Sequence, residues 1–169
     1  MPDRMDVGVL GATGVVGQQL VSMLDGHPWF RTAWLAASER SAGKRYGNLP
    51  WRLTKPLPAS AAPLTVSPLD PAGAPRLVFS ALDAGVAGDA EVAFARAGHV
   101  VVSNARNHRL DPLVPLVVPE VNGDHLSLLA VQQREHDWTG AIVTNPNFST
   151  VFVALTLAAL RLFQPSRVL

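Results

Sequence analysis

The sequence predicts a doubly wound α/β domain, a mostly parallel sheet with helices on both faces. Three observations predict it. Short apolar, β-branched runs alternate with helix-patterned segments along the whole chain. A glycine-rich turn, Gly11-Ala-Thr-Gly14-Val-Val-Gly17, stands between the first apolar run and the first helical pattern. Runs such as Leu77-Val78-Phe79 and Val100-Val101-Val102 are apolar at successive positions, as in strands covered on both faces. Neighbouring strands joined through helices run parallel, with right-handed crossovers.

Taken in order, 6–10 is a short apolar strand, and the glycine turn opens a helix that runs to Leu24, where Asp25-Gly26 stops it. Residues 31–37 form a second strand. The stretch 38–63 is polar and punctuated by Pro and Gly, a long loop with one short strand at 51–53. Strands follow at 64–66, 76–81 and 99–103, with a helix over 89–97. Strands at 116–118 and 141–144 flank a helix over 124–136. A last helix covers 149–163 and ends in QPSRVL.

Composition narrows the chemistry. The chain has 169 residues, 48% hydrophobic and 16% charged, which excludes a disordered segment. A net charge of +1 gives no field directed at nucleic acid or an anionic membrane. The most apolar run, 151–160, is half the roughly 20 residues of a membrane helix, and the N-terminus has no room for a leader before its glycine turn. The reading is a soluble cytoplasmic protein with no nucleic-acid or membrane partner. Cysteine is absent, so disulfide scaffolds, Cys-bound zinc, iron–sulfur clusters and thiolate catalysis are excluded together. None of the five histidines forms a metal-ligand pair on one helix, and all five read as structural.

The glycine turn has the layout of a dinucleotide site. Gly11 permits the tight turn, Gly14 lets backbone approach a pyrophosphate, and Gly17 allows close helix–strand packing. Thr13 adds a hydroxyl, and the first helical N–H groups face the anion. The end of the second strand selects the cofactor: an acidic residue holds the ribose 2′-hydroxyl of NAD, whereas Arg and hydroxyls hold the 2′-phosphate of NADP. Here Ser38-Glu39-Arg40-Ser41 is followed by Lys44 and Arg45. Arg40 between two hydroxyls favours NADP.

Five segments, VGVLGATGVVGQ, LAASERSAGKRYG, VVVSNARNHR, VPLVVPEVN and IVTNPNFST, resemble in order the archaeal and fungal type of aspartate-semialdehyde dehydrogenase. The resemblance runs from the first strand to about Leu160. It implies a Rossmann-type cofactor domain over 1–147. Residues 148–169 are then the first helix of a truncated catalytic and dimerisation domain. The family reduces aspartyl phosphate to aspartate semialdehyde with NADPH, in lysine, threonine and methionine biosynthesis. By resemblance, Gly11, Thr13, Gly14, Val15 and Val16 wrap the pyrophosphate, and Ser38, Arg40 and Ser41 take the 2′-phosphate. Ser80, Ala81 and Leu82 line the cofactor groove, and Asn145 lies near the nicotinamide. Asn104 and Arg109 bind the substrate phosphate.

The resemblance breaks at one position. The family's nucleophile is the cysteine of NPNCST, where this chain has Phe148. A phenyl ring has no lone pair to attack an acyl phosphate and no proton to lose. Ser149 and Thr150 are rotated by roughly 100° per helical step from the required direction, and their hydroxyls lack a base. The chemical step is therefore expected to be absent. The alternatives are a non-catalytic dinucleotide-binding module or decayed fragment, or a relative of N-acetylglutamyl-phosphate reductase. The apolar face of the last helix, with Val151, Phe152, Leu155, Leu157 and Leu160, implies self-association.

Overall fold

In the computed structural model, which describes residues 4–163, six strands form one sheet in the order β3-β2-β1-β4-β5-β6. They are β1 (Met5–Leu10), β2 (Phe30–Ala36), β3 (Val66–Ser67), β4 (Leu77–Ser80), β5 (Val100–Ser103) and β6 (Ala141–Thr144). Every pairing is parallel. The helices are α1 (Val15–Leu24), α2 (Ala84–Arg96), the single turn α3 (Pro119–Asn122), α4 (Leu128–His136) and α5 (Phe148–Leu160). Residues 1–3 and 164–169, at the outer ends of the two expected domains, lie outside the described residues.

Period-two patterning on buried strands builds two cores, one on each face of the sheet. Val7 and Val9 of β1 and Leu35 of β2 pack with Val21 and Leu24 of α1. The alternate residues Leu10, Ala36, Val78 and Val101 pack with Phe94 and Ala95 of α2. Helices therefore cover both faces, and the doubly wound expectation holds. Register is pinned at the open end of β1 and β2 by Arg31, whose guanidinium donates to Asp6 at 2.6 Å. That bond holds the Asp6 carboxyl below its ordinary range. No helix among the described residues is long and apolar enough to cross a membrane.

Two expected strands are absent, and in both places side chains take the backbone groups that a ladder would use. At 51–53, Gln18 of α1 donates to Pro50 O at 2.8 Å and accepts from Arg52 N at 2.8 Å. The segment is thereby tied to a helix rather than to a strand. At 116–118 only Leu116 bridges β6, at Thr144. There Asn122 accepts from Val118 N at 2.8 Å and donates to Leu116 O at 2.9 Å, and Pro119 has no N–H with which to continue. The helix expected over 89–97 starts earlier, at Ala84, because the chain turns straight into it at Asp83, whose carbonyl accepts from Val86 and Ala87. The helix expected over 124–136 is a 3-10 segment up to Ser127 and becomes α-helical at Leu128.

β6 is an edge strand whose outer side is fully occupied. The buried amide of Gln132 on α4 accepts from Ile142 N at 2.7 Å and donates to Ile142 O at 3.1 Å and Leu113 O at 3.0 Å. Two residues further along the strand, Thr144 N donates to Pro115 O and Val117 N donates to Thr144 O, each at 2.9 Å. An exposed row of strand donors and acceptors is a template for another chain, and here it is closed from within.

A candidate dinucleotide cleft and an adjoining polar corner

The strand order reverses direction between β1 and β4, and a cleft of about 580 Å³ opens at their carboxyl ends. Gly11, Thr13, Gly14, Val15 and Val16 line one side, Ser38 and Arg40 another, and Ala81 and Leu82 a third. These are nine of the sequence-derived cofactor positions in one concavity. The glycines earn their places for different reasons. Gly11 has φ +73°, and a Cβ there would stand 2.7 Å from Ala81 O. A Cβ on Gly17 would collide with the Gly11 carbonyl and the Ala12 backbone, so this glycine sets the approach of α1 to β1. Around Gly14 the protein leaves space: an added Cβ would meet only Gly11 O, at an ordinary 3.5 Å. Gly14 caps α1 with no side-chain bond, so no side chain covers that helix end, where partial positive charge gathers.

Three further positions read from the sequence lie outside the cleft lining. Ser41 is carried aside by a turn in which Ser41 N and Ala42 N both donate to Ser38 O. Ser80 is buried at the end of β4, and its hydroxyl has no hydrogen-bond partner. Asn145 belongs to a second group at the ends of β5 and β6. There it donates to Asn104 Oδ1 at 3.0 Å, and Arg109 donates to the Asn104 carbonyl at 2.9 Å. The structure thus brings Asn104, Arg109 and Asn145 together. Arg109 Nε and Asn145 Oδ1 are buried with no partner, a donor and an acceptor left over in the same corner. Buried polar atoms are normally satisfied, so these two leftovers make the corner a candidate binding place.

Phe148 opens α5 and is 67% exposed. Asn147 caps the helix, accepting from Ser149 N at 2.9 Å. No residue of α5 is buried, and Phe152, Val153, Leu155 and Leu160 all stand exposed. Four of the histidines make local contacts. His27 accepts from Trp29 N and Phe30 N, His99 Nδ1 lies 2.9 Å from Pro75 O, His125 meets Asn122, and His136 stacks on Trp138.

The sequence reading missed several residues around these sites. Arg52, Leu69, Asp83 and Val86 line the cleft, and Arg52 adds a second arginine beside Arg40. Arg52 is brought there by Gln18, one turn after Gly14. The only sequence signal is that Gln18 interrupts the otherwise apolar buried stripe Gly17, Val21, Leu24. Tyr46 sits under the glycine turn, donating to Ala12 O at 2.6 Å, and burial pushes its phenol well above the ordinary value. Glu91 of α2 is fully buried and accepts from Ser103 at 2.7 Å. A glutamate on a helix reads as solvated, and periodicity alone does not reveal it.

Comparisons with known proteins bear on this arrangement. The chain is 48% identical over 159 residues to the aspartate-semialdehyde dehydrogenase of Archaeoglobus fulgidus, covering 93% of this chain and 46% of that protein. It is 51% identical over 156 residues to the enzyme of that name from Methanothermobacter thermautotrophicus, covering 90% and 45%. The crystal structure of aspartate semialdehyde dehydrogenase with NADP from Candida albicans superposes with a TM-score of 0.86 at 41% identity, over 96% of this chain and 48% of that one. The chain spans about half the length of the curated relatives it matches. Residues 6–129 match the family described as semialdehyde dehydrogenase, NAD binding domain, and they hold every residue that lines the cleft. With the parallel sheet, the glycine turn and the cleft at its reversal point, this match places the chain in the semialdehyde dehydrogenase NAD-binding domain family.

Proposed function

We propose that the chain binds NADP as the cofactor domain of an aspartate-semialdehyde dehydrogenase-type reductase, and that it does not itself carry out the chemical step. The observation that carries the reading is the meeting, in one cleft, of the glycine turn with Ser38 and Arg40. The residues present fit the cofactor. The space beside Gly14 and the open end of α1 suit a pyrophosphate, and a guanidinium with a neighbouring hydroxyl suits the 2′-phosphate. When bound, NADP(H) supplies the hydride of such a reduction. The chain's own residues hold its phosphates, and Asn104 and Arg109 hold the phosphate of an acyl-phosphate substrate. Phe148 leaves the reacting carbon without a nucleophile. The localisation that fits this role is cytoplasmic.

Calorimetric titration of the full chain tests the cofactor reading. NADP is expected to bind more tightly than NAD. Arg40→Ala is expected to weaken NADP about 30-fold and leave NAD within about twofold, the loss of one bidentate charge-assisted contact. NAD binding as well as NADP overturns the assignment of Arg40. In the same preparation, phosphate-dependent reduction of NADP by aspartate semialdehyde is expected to stay at the buffer rate, and turnover above it refutes the role given to Phe148.

In this reading 148–169 belongs to a second, catalytic and dimer-forming domain. The exposed apolar face of α5 then brings two copies of the chain together. Sedimentation velocity is expected to show a concentration-dependent dimer that Phe152→Glu dissolves. A monomer at all concentrations contradicts it.

A further inference from the structure

We infer that Glu91 is the positioning residue of the loop that carries Asn104 and Arg109. The inference rests on the proposed reading of those two residues as a phosphate-binding pair. Glu91 lies on α2 with no exposed surface, and nothing in the cofactor cleft uses it. A carboxylate removed from water is retained only where hydrogen bonds or an opposite charge answer it. Both answers come from one loop. Ser103, the last residue of β5, donates its hydroxyl to Oε1 at 2.7 Å. His108, five residues on, presents Nε2 to Oε2 at 3.4 Å. Neither Oε2 nor His108 Nε2 has a hydrogen-bond partner, so each is the group the other lacks. The 3.4 Å approach is a close polar contact rather than a formed hydrogen bond.

The carboxylate therefore grips both ends of the 103–108 segment and sets its span. The Ser103 hydroxyl also accepts from Ala105 N at 3.0 Å, which fixes the first bend after the strand. Asn107 donates to Ala84 O at 2.9 Å, a second anchor on the same helix. Arg109 follows His108 directly, and its Nη2 is bound back to the Asn104 carbonyl while its Nε stays without a partner. Glu91 thus acts on an anion at one remove. It fixes the loop, and the loop sets which guanidinium donors remain available.

The test titrates the full-length chain with inorganic phosphate, following the backbone amides of 104–109 by NMR, with NADP affinity measured in parallel. Glu91→Gln and His108→Ala are each expected to weaken phosphate about tenfold and to speed amide exchange across 104–109. His108→Gln, which restores a donor to Oε2, is expected to return phosphate affinity to within about threefold of the parent. NADP affinity is expected to hold within about twofold throughout, because the cleft is lined by other residues. Undiminished phosphate binding in both folded variants overturns the inference alone. Parallel loss of NADP and phosphate also overturns it, since that is the mark of a merely structural residue. A parent chain that binds no phosphate overturns the reading of Asn104 and Arg109, and the inference with it. If Glu91→Gln does not fold, the two His108 variants decide the matter.

Discussion

Gly17→Val is expected to destabilise the chain by about 3–5 kcal/mol, and Gly14→Ala, three residues earlier in the same motif, by less than about 0.5 kcal/mol. At Gly17 the new side chain meets backbone on both sides, the Gly11 carbonyl and the Ala12 Cα, and backbone does not rotate out of the way. The collision separates α1 from β1 and opens the core formed by Val7, Val9 and Val21. At Gly14 the backbone is extended, with φ −76° and ψ 163°, a conformation any residue adopts, and the added methyl makes only an ordinary contact with Gly11 O. The space beside Gly14 is where a pyrophosphate would lie, so Gly14→Ala is expected to weaken NADP about tenfold in a protein of unchanged stability. Urea melts and nucleotide titration of both variants check the pair. Equal stability losses in the two would show that the motif is a single structural turn with no ligand-facing part.

The contrast shows what was legible in the sequence. The glycine motif, the strand alternation and the basic cluster after β2 are local patterns, and each set its own part of the architecture. The fold class follows from them because β1, β2, β4, β5 and β6 each carry an apolar residue to both faces. The failures are non-local. Residues 51–53 and 116–118 are extended and apolar enough for strands, but Gln18 and Asn122 occupy their backbone groups, and a window of neighbours does not reveal that competition. Ser41 and Arg40 look equivalent in the string SERS. One turn of chain puts Arg40 in the cleft and Ser41 outside it. Arg52 and Glu91 were missed for the same reason, since each owes its place to a residue from another element.

Gln132→Leu is expected to cost about 4 kcal/mol and to make the chain prone to aggregation. Leucine fills nearly the same volume but has no hydrogen-bonding atoms. It therefore strands three backbone groups that the amide now serves: Ile142 N, Ile142 O and Leu113 O. Each buried group left unmatched costs about 1–3 kcal/mol, while the apolar surface gained offsets part of the sum. Against a typical domain stability of about 5–15 kcal/mol the loss is large. The urea midpoint should fall at constant slope, and light scattering should rise on warming as the freed edge of β6 pairs between molecules. A change smaller than about 1 kcal/mol, with no scattering, would mean that the amide is a bystander to that edge.

The position of β1 between β2 and β4 has a consequence in time. Every residue lining the cleft is numbered between 11 and 86, and the strands that shape it, β1, β2 and β4, are complete by Ser80. The second group instead needs Asn104 and Arg109, beyond β5, and Asn145, beyond β6. A chain made from its N-terminus therefore has every cleft-lining residue synthesised before β5 and β6 are made. Because Val101 of β5 and Ile142 of β6 belong to the core that also holds Leu10, Ala36 and Val78, the cleft's own strands are fully packed only once those later strands arrive.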